Sequence, residues 1–409
     1  MTSLASRRRV LHFLAASPLL AGSPAVAQQP PASWPLDPVP WAPRSLDALI
    51  GDPKDALSVF DFEPIMRKNV PAAHFGYMAT GLDDEATLRA DRTAFGKFQL
   101  RPRRLVDVSQ VDLGIEIFGV KYNSPIAIAP TGSNRAFHPD GELAVARAAK
   151  VGNHLEMLST VATTSIEDAI AARGAPVWFQ LYPTQRPEIG DALVKRAEAA
   201  GAPVIALTVD VVSPLKWETF IRLRRTDARA CGECHGANGY LSRKPNFAGI
   251  DLHDANGVAT PSLNWDSVKR LRDTIKVKFV LKGILAPEDA LLAVDVGVDG
   301  VVVSNHGGRV DDGGRATIEA LPDIVAAVAG RIPILVDSGF RRGTDIVKAL
   351  AMGAHAVCVG RPYLWGLGAF GQPGVERVLE ILRAETRATM QQIGAPSIKQ
   401  IVPAMVVRA

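Results

Sequence analysis

Ser304-Asn305-His306-Gly307-Gly308-Arg309 is the segment best equipped for chemistry. It follows Gly300-Val301-Val302-Val303, an apolar run that reads as a buried parallel strand. A histidine where such a strand stops can act as a base, and the arginine beyond the glycines can hold an anion. Read alone, the segment is as compatible with a solvated turn around a satisfied histidine. The other strand ends decide between the two.

From residue 124 short apolar runs alternate with amphipathic helical stretches. The runs are Pro125–Pro130, Leu155–Ser159, Val177–Tyr182, Val204–Asp210, Phe279–Gly283, Gly300–Ser304, Ile332–Asp337 and Ala356–Gly360. Between them lie stretches such as Glu142–Val151, Glu188–Ala200, Pro287–Val296, Ile318–Ala329 and Thr344–Met352. Pro287 suits a first helical turn, and Gly152, Gly201, Gly297 and Gly353 suit positions just past helix ends. Eight β/α units over roughly 250 residues fit a (β/α)8 barrel of the α/β class, a TIM barrel. A doubly wound sheet is the alternative, but eight similar units show no obvious reversal of strand order. Residues 46–120 read as a helical cap, so the folded domain spans 46–409 and the barrel proper about 124–370.

The C-terminal ends of the eight runs carry Thr131, Ser159, Gln180 with Tyr182, Thr208 with Asp210, Lys282, Ser304 with His306, Asp337 with Gly339, and Gly360 with Arg361. In a barrel these converge on one mouth. Gathering so many polar and ionisable groups there is costly unless they act. After the last two strands, Asp337-Ser338-Gly339-Phe340-Arg341-Arg342-Gly343 and Gly360-Arg361-Pro362 offer close backbone approach and cationic charge, as a phosphate site needs.

With these motifs in place, the chain resembles the FMN-dependent 2-hydroxy acid oxidases and dehydrogenases, the family of glycolate oxidase, lactate and mandelate dehydrogenases and the flavin domain of flavocytochrome b2. The resemblance runs from about Phe60 to Val402. It also rests on Tyr77-Met78-Ala79-Thr80-Gly81, Ala129-Pro130-Thr131-Gly132, Phe179-Gln180-Leu181-Tyr182, Leu207-Thr208-Val209-Asp210 and Leu281-Lys282-Gly283. It implies that Thr131, Ser159, Gln180 and Thr208 bond the isoalloxazine edge and ribityl region of FMN. Lys282 would sit near N1 and the C2 carbonyl, where a cation favours the reduced flavin, with Ser304 in support. Asp337, Gly339, Arg341, Gly360 and Arg361 would hold ribityl and phosphate. His306 would be the base, oriented by Asp210. Tyr77, Tyr182 and Arg309 would bind the substrate. The base would take either the hydroxyl proton alongside hydride transfer or the α-proton to give a carbanion. Gly132, beside the expected flavin N5, favours a dehydrogenase over an oxidase. The acceptor is a quinone, a cytochrome or oxygen, and the family's habit is a homo-oligomer. The alternatives are another FMN barrel enzyme, such as a diphosphate isomerase, which would not need the His306–Asp210 pair, and a non-catalytic or atypical flavin electron carrier.

Three features depart from the family pattern. Trp217 stands where a second carboxylate-binding arginine is expected, with Lys216 beside it as a substitute that lacks the bidentate fork. Val161 stands where glycolate oxidase has a tryptophan, which suggests a roomier pocket. Cys231-Gly232-Glu233-Cys234-His235 matches the c-type haem attachment signature. A Cys231–Cys234 disulfide is the plainer reading, and zinc is weaker for want of a fourth ligand. Cys358 lies inside the eighth run and reads as core.

The first residues bear on location. Ser6-Arg7-Arg8-Arg9, an apolar stretch to Leu20 and Ala25-Val26-Ala27 form a twin-arginine export signal over residues 1–27, which predicts a periplasmic protein. Residues 28–45 are Pro-rich and read as a linker. The formal charge is +4, and the signal carries three arginines and no acid, so the remainder is near +1 (4 − 3). That leaves no basic field for nucleic acid. The 47% of hydrophobic residues suffices for a large core.

Overall fold

The structure is a computed structural model, and it describes residues 49–227, 239–252, 255 and 257–409. The signal and the whole linker, like Cys231, Cys234 and His235, lie outside the described residues. Residues 44–409 form one unit.

Two short pairs of strands flank the barrel. β1 (Phe98–Leu100) pairs antiparallel with the C-terminal β12 (Val406–Arg408), and β2 (Ile115–Ile117) pairs antiparallel with β3 (Val120–Tyr122). The eight apolar runs are β4 (Ile126–Ile128), β5 (Leu155–Ser159), β6 (Trp178–Leu181), β7 (Val204–Thr208), β8 (Lys278–Ile284), β9 (Gly300–Val303), β10 (Ile334–Val336) and β11 (Ala356–Val359). All pairings among them are parallel, and β11 returns to β4 through Val357 opposite Ile126. That closure excludes the doubly wound sheet. Every residue of β5, β6, β7, β9 and β11 is buried, as expected for strands covered by side chains inside and helices outside.

Alternate side chains fill the barrel: Ala127, Met157, Trp178, Ala206, Val280, Val302, Leu335 and Cys358 belong to one core cluster. Cys358 is 1% exposed, and burial pushes its thiol up, so it is core as expected. Phe118, in the β2–β3 hairpin, tilts against Trp178 at 5.6 Å between ring centroids. The hairpin thus packs on the core beneath the barrel, and the mouth lies at the other end.

The expected helices appear as Gly141–Gly152, Pro187–Ala199, Pro287–Val296, Thr317–Val328 and Gly343–Ala351. Ile166–Arg173 and Trp265–Thr274 complete the alternation, each with a side-chain N-cap, from Ser165 and Asn264. One boundary differs from expectation. Gly152 is the last helical residue, and Asn153 takes the left-handed turn at φ 46°. A Cβ on Gly152 would lie 2.2 Å from His154 Nε2, so this glycine serves packing rather than the turn.

Three helices form the cap: α1 (Phe62–Asn69), α2 (Ala72–Ala79) and α3 (Ala86–Thr93). After β7 the chain forms α4 (Glu218–Arg225), which lies on α2. Gly76 permits the contact, because a Cβ there would meet Leu223 at 3.0 Å and the Phe220 backbone at 3.2 Å. This approach places Tyr77 of α2 beside Trp217 and Phe220, and so builds one wall of the mouth.

Candidate active site

A cavity of about 920 Å3 occupies the mouth. Of the expected site residues, Tyr77, Thr131, Gly132, Tyr182, Lys282, His306, Arg309, Asp337, Gly339, Arg341, Gly360 and Arg361 border it. Ser159, Gln180, Thr208, Asp210 and Ser304 stand behind its wall. Gln180 Nε2 donates to Thr208 Oγ1 at 2.8 Å, and the Ser159 hydroxyl accepts from Val161 N at 3.3 Å. In this state these groups brace the floor rather than face open space.

His306 sits at φ 60°, a left-handed conformation that costs energy for a side-chain-bearing residue and turns its ring toward the mouth. Nδ1 is 3.0 Å from Asp210 Oδ1. Burial pushes the Asp210 carboxyl up, but His306, its hydrogen bond and then Lys282 outweigh that and hold it below its ordinary value. An ionised carboxylate only accepts, so Nδ1 carries the proton and Nε2 is left as the acceptor. Nε2 is 3.3 Å from the Tyr182 hydroxyl, and the two rings stack at 14°. Burial, then Asp210, pushes Tyr182 well above the usual phenol range, so it stays a neutral donor.

Gly283 makes room for Asp210. It lies at φ 111° within the register shift of β8 between Lys282 and Ile284. A Cβ at Gly283 would lie 2.8 Å from Asp210 Cβ. The Leu281-Lys282-Gly283 triplet therefore does two jobs, since Lys282 also points into the mouth. Lys282 Nζ is 2.8 Å from Ser304 Oγ and 3.1 Å from Asp337 Oδ2. Burial alone would lower the lysine, but Asp337 and Asp210 hold it above its ordinary value. It is a fixed, buried cation.

Arg309 Nη1 donates to the Tyr77 carbonyl at 2.5 Å and the Thr80 carbonyl at 3.3 Å. Its guanidinium carbon lies 4.9 Å from the Tyr77 ring centroid and 4.4 Å from that of Trp217. Trp217 thus stands inside the site, but Lys216 does not replace the arginine. Its ammonium pairs with Glu218 at 2.6 Å and its side chain is 68% exposed.

At the other end, Arg361 donates to the carbonyls of Met78, Gly307 and Thr80, and Arg341 Nη1 to its neighbour's carbonyl at Phe340. Arg341 also lies over the Trp365 ring at 4.8 Å. Gly339 is forced by close approach, since a Cβ would meet the Asp91 carbonyl at 2.0 Å. Sequence reasoning did not single out Asp91 or Tyr240, and it quoted Gly283 and Ser338 within motifs without giving either a role. Ser338 accepts from Gly307 N at 3.0 Å and donates to Asp337 at 2.7 Å, tying the two loops together. Tyr240 borders the cavity from beyond Cys234, and only its aromatic type between glycine and leucine hinted at it.

A flavin mononucleotide fits this arrangement. A cavity at the upper end of the usual ligand range has a buried cation on its floor and two arginines beside glycine-rich turns at one end. Lys282 would face the ring, and Gly339, Arg341, Gly360 and Arg361 the phosphate.

Comparison with known proteins agrees. Residues 66–408 match the family described as FMN-dependent dehydrogenase. L-lactate oxidase of Lysinibacillus sphaericus is 43% identical over 346 residues, 83% of this chain and 89% of the relative. Glycolate oxidase 3 of Arabidopsis thaliana is 40% identical over 356 residues, 84% and 94% of the two chains. A soluble mutant of the membrane-associated (S)-mandelate dehydrogenase from Pseudomonas putida superposes with a TM-score of 0.79 at 37% identity, covering 87% of this chain and all of that one (100%). The chain therefore belongs to the FMN-dependent 2-hydroxy acid oxidase and dehydrogenase family.

Proposed function

We propose that this protein oxidises a 2-hydroxy acid to the 2-oxo acid with His306 as the base and Asp210 as its orienting partner. The observation that carries this reading is the pair itself: Nδ1 held at 3.0 Å by Asp210, with Nε2 beside Tyr182 at the cavity. Nε2 takes a proton from the substrate, and the ionised Asp210 stabilises the imidazolium that results. Arg309 meets the substrate carboxylate, while the phenols of Tyr77 and Tyr182 supply neutral contacts near the reacting carbon. FMN, when bound, accepts the electron pair. Lys282 supplies fixed positive charge on the cavity floor throughout. Neither a diphosphate isomerase nor a passive carrier needs this base and its partner.

The reading extends to location and electron outlet. The twin-arginine motif in residues 1–27 supports a periplasmic enzyme that is loaded with cofactor before export, and the family's habit supports a homo-oligomer. A haem c on Cys231–His235 would supply a one-electron outlet for the flavin, whereas a Cys231–Cys234 disulfide would serve structure.

The test is the absorption spectrum of protein purified from the periplasm, before and after adding 2-hydroxy acids without oxygen. Flavin bands that bleach support the reading. Flavin bands that no hydroxy acid bleaches would sink the oxidation chemistry. A Soret band would establish the haem, and quinone, cytochrome or oxygen added afterwards identifies the acceptor by restoring the oxidised bands.

A further inference from the structure

Arg309 is held in an unusual way. Its side chain is half-buried beside the cavity, and desolvation lowers its pKa, with the phenols of Tyr77 and Tyr182 acting against that. Nη1 is satisfied by two main-chain carbonyls. What fixes the plane of the guanidinium is aromatic. Trp217 presents its ring at 4.4 Å and Tyr77 at 4.9 Å, and these two rings meet edge-on at 5.7 Å and 75°. Trp217 makes a second contact with the same residue, because its Nε1 donates to the Arg309 carbonyl at 2.9 Å. One indole therefore grips both the side chain and the main chain of one arginine. Phe220 backs the indole at 6.4 Å.

We infer that Trp217 is the positioning residue for Arg309, and that it sets the site to recognise a single carboxylate beside an apolar substituent. The inference rests on the reading of the cavity as a 2-hydroxy acid site. A cation over an aromatic face is attracted without being neutralised, so its charge stays available to an incoming anion. A carboxylate at the same place would hold the arginine as firmly but cancel that charge. The indole edge, with Val161 and Phe220 also lining the cavity, gives the substrate's carbon substituent an apolar surface.

The experiment titrates FMN-loaded protein, without oxygen, with phenylpyruvate and with its primary amide, following the flavin absorbance. The amide keeps the shape and removes the charge. Trp217→Leu should raise the Kd for the acid about tenfold and that for the amide by less than about twofold. Trp217→Phe keeps a ring but loses the indole N–H, so it should fall between wild type and Trp217→Leu. FMN content and melting temperature serve as the folding control, and if Trp217→Leu does not fold the phenylalanine variant carries the comparison. Equal weakening of acid and amide would make Trp217 merely structural and overturn the inference. So would an unchanged Kd for the acid, or a wild-type protein that binds neither compound. A wild-type protein that binds the acid selectively yet oxidises no 2-hydroxy acid would leave the inference standing and sink the proposed function instead.

Discussion

The two ends of the cavity handle charge in opposite ways. At the reacting end the ionisable groups face carboxylates: His306 with Asp210 at 3.0 Å, and Lys282 with Asp337 at 3.1 Å. At the phosphate end Arg361 donates to the main-chain carbonyls of Met78, Gly307 and Thr80, and Arg341 to that of Phe340 beside the Trp365 ring. Carbonyl dipoles orient a guanidinium without cancelling its charge. The reacting end is thus a finished constellation, sensitive to any change in distance. The phosphate end holds two guanidinium groups on main-chain carbonyls, positioned for an anion. Substitutions at the first should cost rate, and substitutions at the second should cost affinity or shift a pH dependence.

The sharpest way to break this contrast is His306→Ala. Loss of the base should lower kcat about 10^3- to 10^4-fold while FMN is retained. Flavin lost along with activity would mean that the two ends are not separable. Gly283→Ala attacks the same end through its scaffold. The new Cβ would lie 2.8 Å from Asp210 at a backbone φ of 111°. Asp210 must shift, so a fall in kcat of roughly 10- to 100-fold is expected, with about 1–3 kcal/mol lost from unfolding stability. Steady-state kinetics beside a denaturant melt checks both. Unchanged kcat would mean that the bulge does not control the dyad.

Much of this was legible in the sequence, for identifiable reasons. Barrel strands are buried on both faces, so they read as apolar runs, and their polar residues mark the mouth by default. Each expected mouth residue either borders the cavity or stands directly behind its wall. What failed was the reach of Lys216, because helix direction at the start of α4 depends on the contact with Gly76, which no local pattern records. Asp91 was missed for a related reason. It comes from the cap helix α3, 214 residues before its partner Asn305, and only the closed fold brings them together. Tyr240 likewise enters from a long segment without periodicity.

Asp91 also offers the finest test of the contrast, at the phosphate end. Its carboxyl is buried and accepts from Asn305 Nδ2 at 2.7 Å. Burial, only partly opposed by hydrogen bonds from Asn305 and the Thr317 backbone and by Arg361, raises its pKa from the ordinary 3.8 to about 7. The folded chain therefore keeps this proton from about pH 4 to 7, while the unfolded chain has released it. Folded protein binds more protons in that window, so Asp91 makes stability fall as pH rises toward 7, the reverse of a salt-bridged carboxylate. Asp91→Asn preserves the acceptor for Asn305 and removes the ionisation. Melts should show the variant gaining about 1–4 kcal/mol over wild type at pH 8 and almost nothing at pH 4. Turnover should change little, because Asp91 touches neither His306 nor Asp210 through any hydrogen bond. A variant equally stable to wild type at both pH values would show that Asp91 is ionised in the folded protein, with Arg361 neutralised from beneath. The phosphate end would then be charge-compensated like the reacting end, and the contrast between them would fail.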